Sequence, residues 1–288
     1  MILTTSIADY AERRADLDPQ RVRRLVFVAT MGALHDGHRS LLRLARSLGD
    51  LVAVSIFVNP LQFGPDEDYA RYPRALEADL EVCRSEGVDL VFAPSVTELY
   101  PAGRQVTVSA GTIGTVLEGA ARPGHFDGML TVVLKLFNII KPETAVFGQK
   151  DAQQFACIQR MVTDLNLGID LVGAPTVREI DGLALSSRNI FLSAAERQAA
   201  LNLSAALDQA RGAGSVPEAR AAAYAVLDRA VEDPAFQLDY AVLVNPVTFA
   251  ELPDDYTGAA VFAMAARIGT TRLIDNARLT LAPVTVDV

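Results

Sequence analysis

Two histidines placed close together are the first sign of chemistry in this sequence. His35 and His38 lie in the string TMGALHDGH, after an apolar strand-like run and at the start of a helical segment. A strand that runs through a glycine-containing turn into a helix presents backbone N–H groups to an anion, and histidine N–H groups can add hydrogen bonds to phosphoryl oxygens. The pattern favours a phosphate site. A pair of helix-capping histidines is the alternative, and zinc is not expected because no third ligand has a suitable spacing.

Polar residues after two later strand-like runs could complete such a site. Asn59 and Gln62 place amide groups where a small hydroxylated or carboxylated substrate can be oriented. Lys150 places a cation where phosphates would lie, and Asp151 and Gln154 share one side of the helix that follows. Each segment taken alone is also compatible with an ordinary turn or an exposed helix start.

Two further loops carry charged groups. The string DGLALSSRN contains Ser186, Ser187 and Arg188, which can close over a triphosphate and neutralise charge in the transition state, with Gly182 as the hinge. The string RPGHFDG places Arg122 before a long apolar helix, where it could pair with phosphate. A capping loop and a plain loop-to-helix junction are the respective alternatives.

Alternating apolar runs and helical patterns indicate how these groups are positioned. The strand candidates are residues 25–29, 51–58, 88–93, 144–147 and 169–172. The helix candidates are residues 37–48, 74–85, 126–140 and 151–165. Continuous apolar runs are typical of parallel strands that helices cover on both faces. The sequence therefore predicts a doubly wound, Rossmann-like α/β domain whose ligand site lies at the carboxyl ends of the strands, where the polar segments fall.

The pattern changes after Pro175, and we place a domain boundary there. Residues 1–175 are predicted to form the Rossmann-like domain that binds the ligands, and residues 176–288 a smaller α+β domain that carries the serine–arginine loop. Ser193 and Glu196 predict a capping box at the start of an alanine-rich helix. A second helix to about residue 231 and three strands follow, at residues 238–244, 259–266 and 271–274.

The composition excludes several classes of protein. Half of the 288 residues are hydrophobic, and 26 basic residues against 35 acidic ones give a formal net charge of −9. Such acidity argues against a dedicated nucleic-acid binder, which needs a basic field. No run of about 18 apolar residues and no secretory leader pattern is found, so a cytoplasmic protein without membrane partners is expected. Cys83 and Cys157 are expected to be buried free thiols.

Six motifs in order make the chain resemble a known family. They are TMGALHDGH, IFVNPLQFG, YPR, RPGHFDGMLTVVLKLFNIIKP, FGQKDAQQ and DGLALSSRN, spread over about residues 25–192. The set closely resembles the pantothenate synthetase (pantoate–β-alanine ligase) family, within the HxGH nucleotidyltransferase superfamily. The resemblance implies that ATP and pantoate form pantoyl adenylate and pyrophosphate, and that β-alanine then yields pantothenate and AMP. It also implies a homodimer.

The resemblance assigns roles to individual residues. The implied ATP-binding residues are Met31, Gly32, Ala33, Leu34, His35, Asp36, Gly37, His38, Gly148, Gln149, Lys150, Asp151, Val177, Leu185, Ser186, Ser187 and Arg188. Within this set Val177 and Leu185 would line adenine, and the implied catalytic residues are His35, His38, Lys150, Ser186, Ser187 and Arg188. Pantoate would be held by Gln62 and Gln154, with Asn59, Tyr72 and Arg122 as further candidates. His38 is commonly assigned as a proton donor, but charge stabilisation by its N–H explains a loss of rate equally well.

Three positions depart from the pattern of the family. Ala29 stands where proline is usual and Gln149 where glutamate is usual, and neither change removes a charge that the mechanism needs. Asp79 matches an acidic position suggested to bind Mg²⁺, but its neighbour is Ala78 and not a second carboxylate. One carboxylate can suffice, since Mg²⁺ is bound mainly by phosphate oxygens and water.

Two other functions are compatible with parts of this pattern. Another HxGH adenylyltransferase, acting on a phosphate ester, would need a basic acceptor pocket, whereas Asn59, Gln62 and Gln154 indicate a neutral one. A non-catalytic nucleotide-binding module would not need His38 and Lys150 together with the serine–arginine loop. The ligase interpretation places all of these segments around one cleft.

Overall fold

The computed structural model describes residues 1–65, 68–101 and 105–282, and the chain folds into two units. The first unit comprises Met1–Gln149 and Cys157–Pro175, and the second comprises Lys150–Ala156 and the described part of Thr176–Val288. Residues 150–156 thus group with the second unit, whereas the sequence-based boundary assigned them to the first. One reason is that the carbonyl group of Lys150 is bound by Asn276, a residue of the second unit.

The first unit is built on a parallel sheet. Its six strands within the described residues are β1 (Ile2–Thr4), β2 (Leu25–Thr30), β3 (Leu51–Ile56), β4 (Leu90–Phe92), β5 (Thr144–Gly148) and β6 (Asp170–Ala174). Their spatial order is β1-β4-β3-β2-β5-β6, and all paired neighbours are parallel. The order reverses at β2, because β3 lies on one side of it and β5 on the other. Sheets of this kind bind ligands at such a reversal.

Helices pack on both faces of this sheet. The helices along this part of the chain are α1 (Ile7–Leu17), α2 (Asp36–Leu48), α3 (Leu76–Ser85), α4 (Val96–Leu99), α5 (Glu118–Ala121), α6 (His125–Ile140) and α7 (Ala152–Asp164), which begins in the second unit. Val26 and Val28 of β2 belong to the same buried cluster as Leu42 of α2. Phe27 instead packs edge-on against Phe137 of α6. Because successive residues of a strand point to opposite faces, burial on both faces explains the continuous apolar runs and confirms the doubly wound fold.

The second unit is a smaller α+β structure, as predicted. Helices α8 (Ala194–Ala210) and α9 (Val216–Ala230) pack with an antiparallel sheet in the order β7-β8-β9, formed by β7 (Phe236–Val244), β8 (Gly258–Ile268) and β9 (Thr271–Leu281). Leu203, Leu227, Phe236 and Phe262 lie in its buried core. The predicted capping box is confirmed, because Ser193 Oγ accepts the Glu196 N–H and Glu196 Oε2 accepts the Ser193 N–H.

Two parts of the fold differ from the sequence prediction. The elements β1 and α1 were not predicted, because β1 has three residues and α1 is rich in charge. The last strand was predicted to end at residue 274, but β9 continues to Leu281. The polar residues Asp275 and Asn276 resemble the end of a strand, yet they are buried within it and hydrogen-bonded.

The two cysteines are free and buried, as expected. Burial raises the pKa of the Cys83 thiol and of the Cys157 thiol to about 12, so both stay protonated at neutral pH. None of the described helices is both long and apolar enough to cross a bilayer.

Candidate active site

The loop that follows β2 is held by a buried carboxylate. Asp79 of α3 accepts the backbone N–H of Ala33 at 3.1 Å and that of Leu34 at 2.7 Å, each with a different oxygen. Gly32 (φ 85°) and Ala33 (φ 52°) have left-handed conformations, which cost the alanine about 1 kcal/mol. A Cβ atom at Gly32 would lie 2.8 Å from Asp79 Oδ2, so glycine permits this close approach. Asp79 therefore fixes the backbone of this loop.

Both imidazoles cap the helix that begins after this loop. His35 Nδ1 accepts the Gly37 N–H at 3.1 Å, and His38 Nδ1 accepts the His35 N–H at 3.2 Å, which is the arrangement of a capping box. The ring centroids are 4.1 Å apart. The capping alternative is therefore confirmed. It does not conflict with a phosphate site, because a ring whose Nδ1 is an acceptor carries its proton on Nε2, as a hydrogen-bond donor.

A buried amide network orients Gln62 in the 3₁₀ helix Pro60–Gln62. Asn59 Nδ2 donates to Gln62 Oε1 at 3.1 Å and to the Gly128 carbonyl at 3.0 Å. Asn59 Oδ1 accepts the Tyr100 hydroxyl and the Leu61 N–H. All hydrogen-bonding positions of Asn59 are thus used, and its amide orientation is fixed. Gln62 consequently keeps Oε1 toward Asn59, and its Nε2 donates to Met31 Sδ at 3.1 Å.

The main chain of Gln62 is held as firmly as its side chain. His125 Nδ1 donates to the Gln62 carbonyl at 2.8 Å, and Arg122 Nη2 donates to it at 3.3 Å. Arg122 Nη1 also lies 3.1 Å from His125 Nε2. Because the carbonyl is only an acceptor, the proton of a neutral His125 ring is on Nδ1 and Nε2 accepts from arginine. Arg122, predicted as a ligand for phosphate or substrate, is engaged here with the Gln62 segment.

Close packing against α6 completes this segment. A Cβ atom at Gly128 would lie 2.0 Å from the Leu61 carbonyl oxygen, so only glycine allows α6 to approach it. Tyr72, another candidate, packs its ring edge-on against Phe63, with centroids 5.8 Å apart.

The carboxyl end of β5 carries the next predicted segment. The Gln149 N–H donates to the Ala174 carbonyl at 2.8 Å, and the Gln149 side chain lies over Gly173 of β6, where a Cβ atom would be 2.5 Å from Nε2. A Cβ atom at Gly148 would meet no described atom within 4 Å. Gly148 therefore leaves room for a ligand to approach the backbone, as the sequence suggested.

Lys150 and Asp151 begin the second unit. Lys150 Nζ lies 3.8 Å from Asp151 Oδ1, and the lysine side chain is 22% exposed. The Asp151 carbonyl accepts the N–H of Phe155, the first helical hydrogen bond of α7. Gln154 is half-buried on the first turn of this helix.

The segment from Val177 to Arg188 forms a hairpin that leads into a 3₁₀ helix. The Leu185 N–H donates to the Val177 carbonyl at 2.9 Å, so the two positions expected to line adenine face each other across the hairpin. Ser186 is the N-cap of the 3₁₀ helix Ser187–Phe191, and its Oγ accepts the Arg188 N–H at 3.3 Å.

Ion pairs hold this hairpin in place. Arg197 of α8 bridges Glu179 at 2.6 Å and Asp181 at 2.7 Å. Hydrogen bonds from Arg197 hold the pKa of both carboxyl groups below the usual values. Arg178 forms a bidentate pair with Asp275, at 2.6 and 3.0 Å. Although burial opposes its charge, the hydrogen bond to Asp275 raises the pKa of Arg178.

The predicted site residues are divided between the two units. The first unit joins Met31–His38, Asn59, Gln62 and Arg122 with Asp79, and the second joins Lys150 and Asp151 with the hairpin and the serine–arginine loop. Sequence reasoning missed the residues that fix these segments by hydrogen bonds and ion pairs. They are Tyr100, His125, Arg178, Arg197, Asp275 and Asn276. His125 lay in a quoted motif as the third histidine, and that was a usable signal. The others have no local pattern that marks them.

The environment of Asp79 does not fit the role of a direct metal ligand. Both carboxylate oxygens already accept backbone N–H groups, and the residue is 3% exposed. The described residues also contain no group of three or more His, Cys, Asp or Glu side chains that could hold a metal ion. Asp79 instead acts on the conformation of the loop.

A parallel sheet whose order reverses at β2, with a left-handed glycine turn and a histidine-capped helix after that strand, is the architecture of a doubly wound α/β nucleotide-binding enzyme. The chain belongs to the pantoate–β-alanine ligase family, whose model matches residues 3–278. It is therefore a ligase, and the reaction of its family is the ATP-dependent condensation of pantoate with β-alanine. The comparisons do not favour the adenylyltransferase or binding-module alternatives.

Individual relatives support this assignment over 96% of the chain. A pantothenate synthetase from Thermobifida fusca is 56% identical over 96% of this chain and 97% of its own length. The crystal structure of pantothenate synthetase from Thermus thermophilus has a TM-score of 0.88 at 46% identity, covering 96% of this chain and 99% of that one. A pantoate–β-alanine ligase from Francisella tularensis, complexed with βγ-ATP and β-alanine, has a TM-score of 0.77 at 35% identity, covering 96% and 97%.

The replacement Asp79→Asn tests the loop-holding role. Asparagine keeps one of the two oxygens and puts an NH2 group, which cannot accept, in place of the other, so one of the two N–H groups loses its acceptor. We therefore expect the free energy of unfolding to fall by about 1.5–3 kcal/mol and the KM for ATP to rise. Glu77→Gln, on the exposed face of α3, is the matched control. Full recovery of activity on raising the Mg²⁺ concentration would instead identify Asp79 as a metal ligand.

Proposed function

We propose that this chain condenses pantoate with β-alanine through a pantoyl-adenylate intermediate, releasing pyrophosphate and AMP. The observation that carries the proposal is the loop after β2, where Asp79 holds the backbone and the Nδ1 atoms of His35 and His38 accept backbone N–H groups, which leaves the proton of each neutral ring on Nε2. Family membership supports the overall reaction.

The two steps balance in atoms and charge. A carboxylate oxygen of pantoate attacks the α-phosphorus of ATP, and pyrophosphate leaves with the electrons of the broken P–O bond. The amine of β-alanine then attacks the acyl carbon and loses a proton, while the C–O bond to phosphate breaks and AMP leaves. A free carboxylate is a poor acyl donor because it has no good leaving group. The mixed anhydride is a better acyl donor, since AMP is a good leaving group.

In this proposal His35 and His38 act as donors to the phosphates. Negative charge moves onto the bridging and terminal oxygens as pyrophosphate departs, and preformed N–H donors stabilise it without reorganisation. The Nδ1 hydrogen bonds fix which nitrogen donates. Met31–Gly37 would line ATP through groups other than the N–H groups of Ala33, Leu34, His35 and Gly37, which side chains already bind. Proton transfer from His38 is not required by this arrangement.

Gln62 and Gln154 are proposed to hold pantoate, Gln62 lying also near the β-alanine site. The network around Asn59 supports this role for Gln62, since it leaves an amide N–H donor for a carboxylate or hydroxyl group. Asn59 and Arg122 would then position Gln62 without touching substrate.

Lys150 and the serine–arginine loop are proposed to bind phosphates. Lys150 would supply a cation to the triphosphate, and Ser186, Ser187 and Arg188 would close on it. The residues Gly148, Gln149 and Asp151 would accompany Lys150 in contacts with ribose and phosphate. Val177 and Leu185, paired across the hairpin, would line adenine.

Mg²⁺ is proposed to accompany ATP with phosphate oxygens and water as its main ligands, because the contacts of Asp79 do not suit direct ligation.

A homodimer is a further proposal, based on the family resemblance, and light scattering of the purified protein tests it. Cytoplasmic location and the assignment of ligand binding to residues 1–175 and loop closure to 176–288 also stay predictions.

Isotope exchange tests the proposed intermediate. Pantoate without β-alanine should support exchange of labelled pyrophosphate into ATP, and net AMP formation should require both acids. Release of AMP in the absence of pantoate would refute the proposal, whereas dependence on a phosphate ester would favour an adenylyltransferase.

The replacements His38→Ala and Lys150→Ala test the phosphate contacts. Each should lower the rate of pantoate-dependent exchange by about two to three orders of magnitude, the effect of removing one preorganised donor. Lys141→Ala, which removes an exposed lysine at the end of α6, is the control for charge. A near-normal rate in a folded variant would contradict the role of the residue replaced.

The replacement Gln62→Ala tests the acid-binding role. Loss of a hydrogen bond to a charged carboxylate should raise the KM for pantoate by roughly 10- to 100-fold and change the KM for ATP much less. Gln237→Ala, on an exposed position of β7, serves as the control. A defect confined to ATP would reverse this placement.

A further inference from the structure

Two adjacent polar residues are buried inside the last strand of the second unit. Asp275 is 3% exposed and Asn276 is 8% exposed, in the middle of β9. Neighbouring strand residues point to opposite faces, so the two side chains extend from opposite sides of the strand. A buried charge and a buried amide are costly unless they are hydrogen-bonded. Their partners therefore show what the pair does.

Asp275 holds the hairpin that precedes the serine–arginine loop. Its two oxygens accept from the two terminal nitrogens of Arg178, at 2.6 and 3.0 Å. Arg178 Nη1 also donates to the Gly182 carbonyl at 3.1 Å. Gly182 has φ 94° and forms the turn, and Arg178 pairs with Ala184 on the opposite arm. One guanidinium thus ties the arm and the turn of the hairpin to β9.

Asn276 holds the main chain of Lys150. Its Nδ2 donates to the Lys150 carbonyl at 2.7 Å. The helical hydrogen bonds of α7 begin at the Asp151 carbonyl, so the Lys150 carbonyl precedes the helix and Asn276 supplies its partner. The backbone N–H of Asn276 in turn donates to Asp275 Oδ1 at 2.8 Å. The same two residues therefore bind the Lys150 segment and the hairpin.

We propose that Asp275 and Asn276 are positioning residues that set the Lys150 main chain and the hairpin leading to Ser186–Arg188 in a fixed relation within the second unit. The inference rests on the proposed phosphate-binding roles of Lys150 and Arg188. Neither Asp275 nor Asn276 touches substrate in this account. Each acts through the segment that it holds.

A double-mutant cycle with Lys150 tests the Asn276 half. Asn276→Ala should lower the rate of pantoate-dependent exchange by about three- to tenfold, the effect of one lost hydrogen bond, and should raise the KM for ATP. In a Lys150→Ala background the same replacement should change the rate by less than twofold, because there is no cation left to position. Asn202→Ala, which removes a similar amide-to-carbonyl bond in α8, is the control and should leave the rate unchanged.

The outcomes separate this inference from the function on which it rests. Equal losses from Asn276→Ala in both backgrounds, or no loss in either, would overturn the positioning role. A normal rate in Lys150→Ala would refute the role of the lysine and the inference with it. Thermal unfolding of every variant shows whether a loss comes from the folded protein.

A second cycle covers the Asp275 half and applies even where Asn276→Ala does not fold. Asp275→Asn keeps the shape of the side chain but removes its charge, so we expect the exchange rate to fall by at least tenfold, with little further loss in an Arg188→Ala background. Losses that multiply in the double variant would contradict the link between Asp275 and the loop.

Discussion

Backbone N–H groups that no strand or helix can satisfy are the constraint on which the candidate site depends. Between the end of β2 and the first turn of α2, the N–H groups of Ala33, Leu34, His35 and Gly37 are all bound by side chains. An unbound N–H group in such a place costs free energy, so the side chains that accept from it become fixed. Two of these acceptors are the imidazoles that the proposed chemistry uses. The same hydrogen bonds therefore satisfy the backbone N–H groups of the loop and fix the orientation of the two imidazoles.

The rest of the candidate site follows a similar plan. The residues proposed to bind ligands lie at strand and helix ends. Buried polar side chains from distant parts of the chain hold them there. Asn59 and Tyr100 orient the amide of Gln62, and Asp275 and Asn276 bind the segments around Lys150 and the hairpin. A ligand site benefits from this arrangement, because preorganised donors need no rearrangement when charge develops. The apolar sheet thus positions the loops that carry the candidate ligand-binding residues, and the buried polar residues orient their side chains.

The sequence was sufficient for most of the strands and helices, although β1 and α1 were missed and β9 was ended too early. Continuous apolar runs identified five of the parallel strands, and local strings such as TMGALHDGH marked the loops after them. The residues that hold these groups in place could not be predicted, because they are far along the chain from the residues that they contact. Leu34 and Asp79 are 45 residues apart, Asn59 and Tyr100 are 41 apart, and Arg178 and Asp275 are 97 apart. Asp79 could be noticed only as an acidic position, and its burial against backbone N–H groups required coordinates.

Nitrogen-15 NMR of the imidazole rings tests the central claim most directly. The chain has three histidines, and at alkaline pH imidazole is neutral, so the chemical shift of each nitrogen reports whether it carries the proton. The account predicts that His35 and His38 carry the proton on Nε2, whereas His125, which donates to the Gln62 carbonyl, carries it on Nδ1. A proton on Nδ1 of His35 or His38 would contradict the capping arrangement and the proposed direction of their donors.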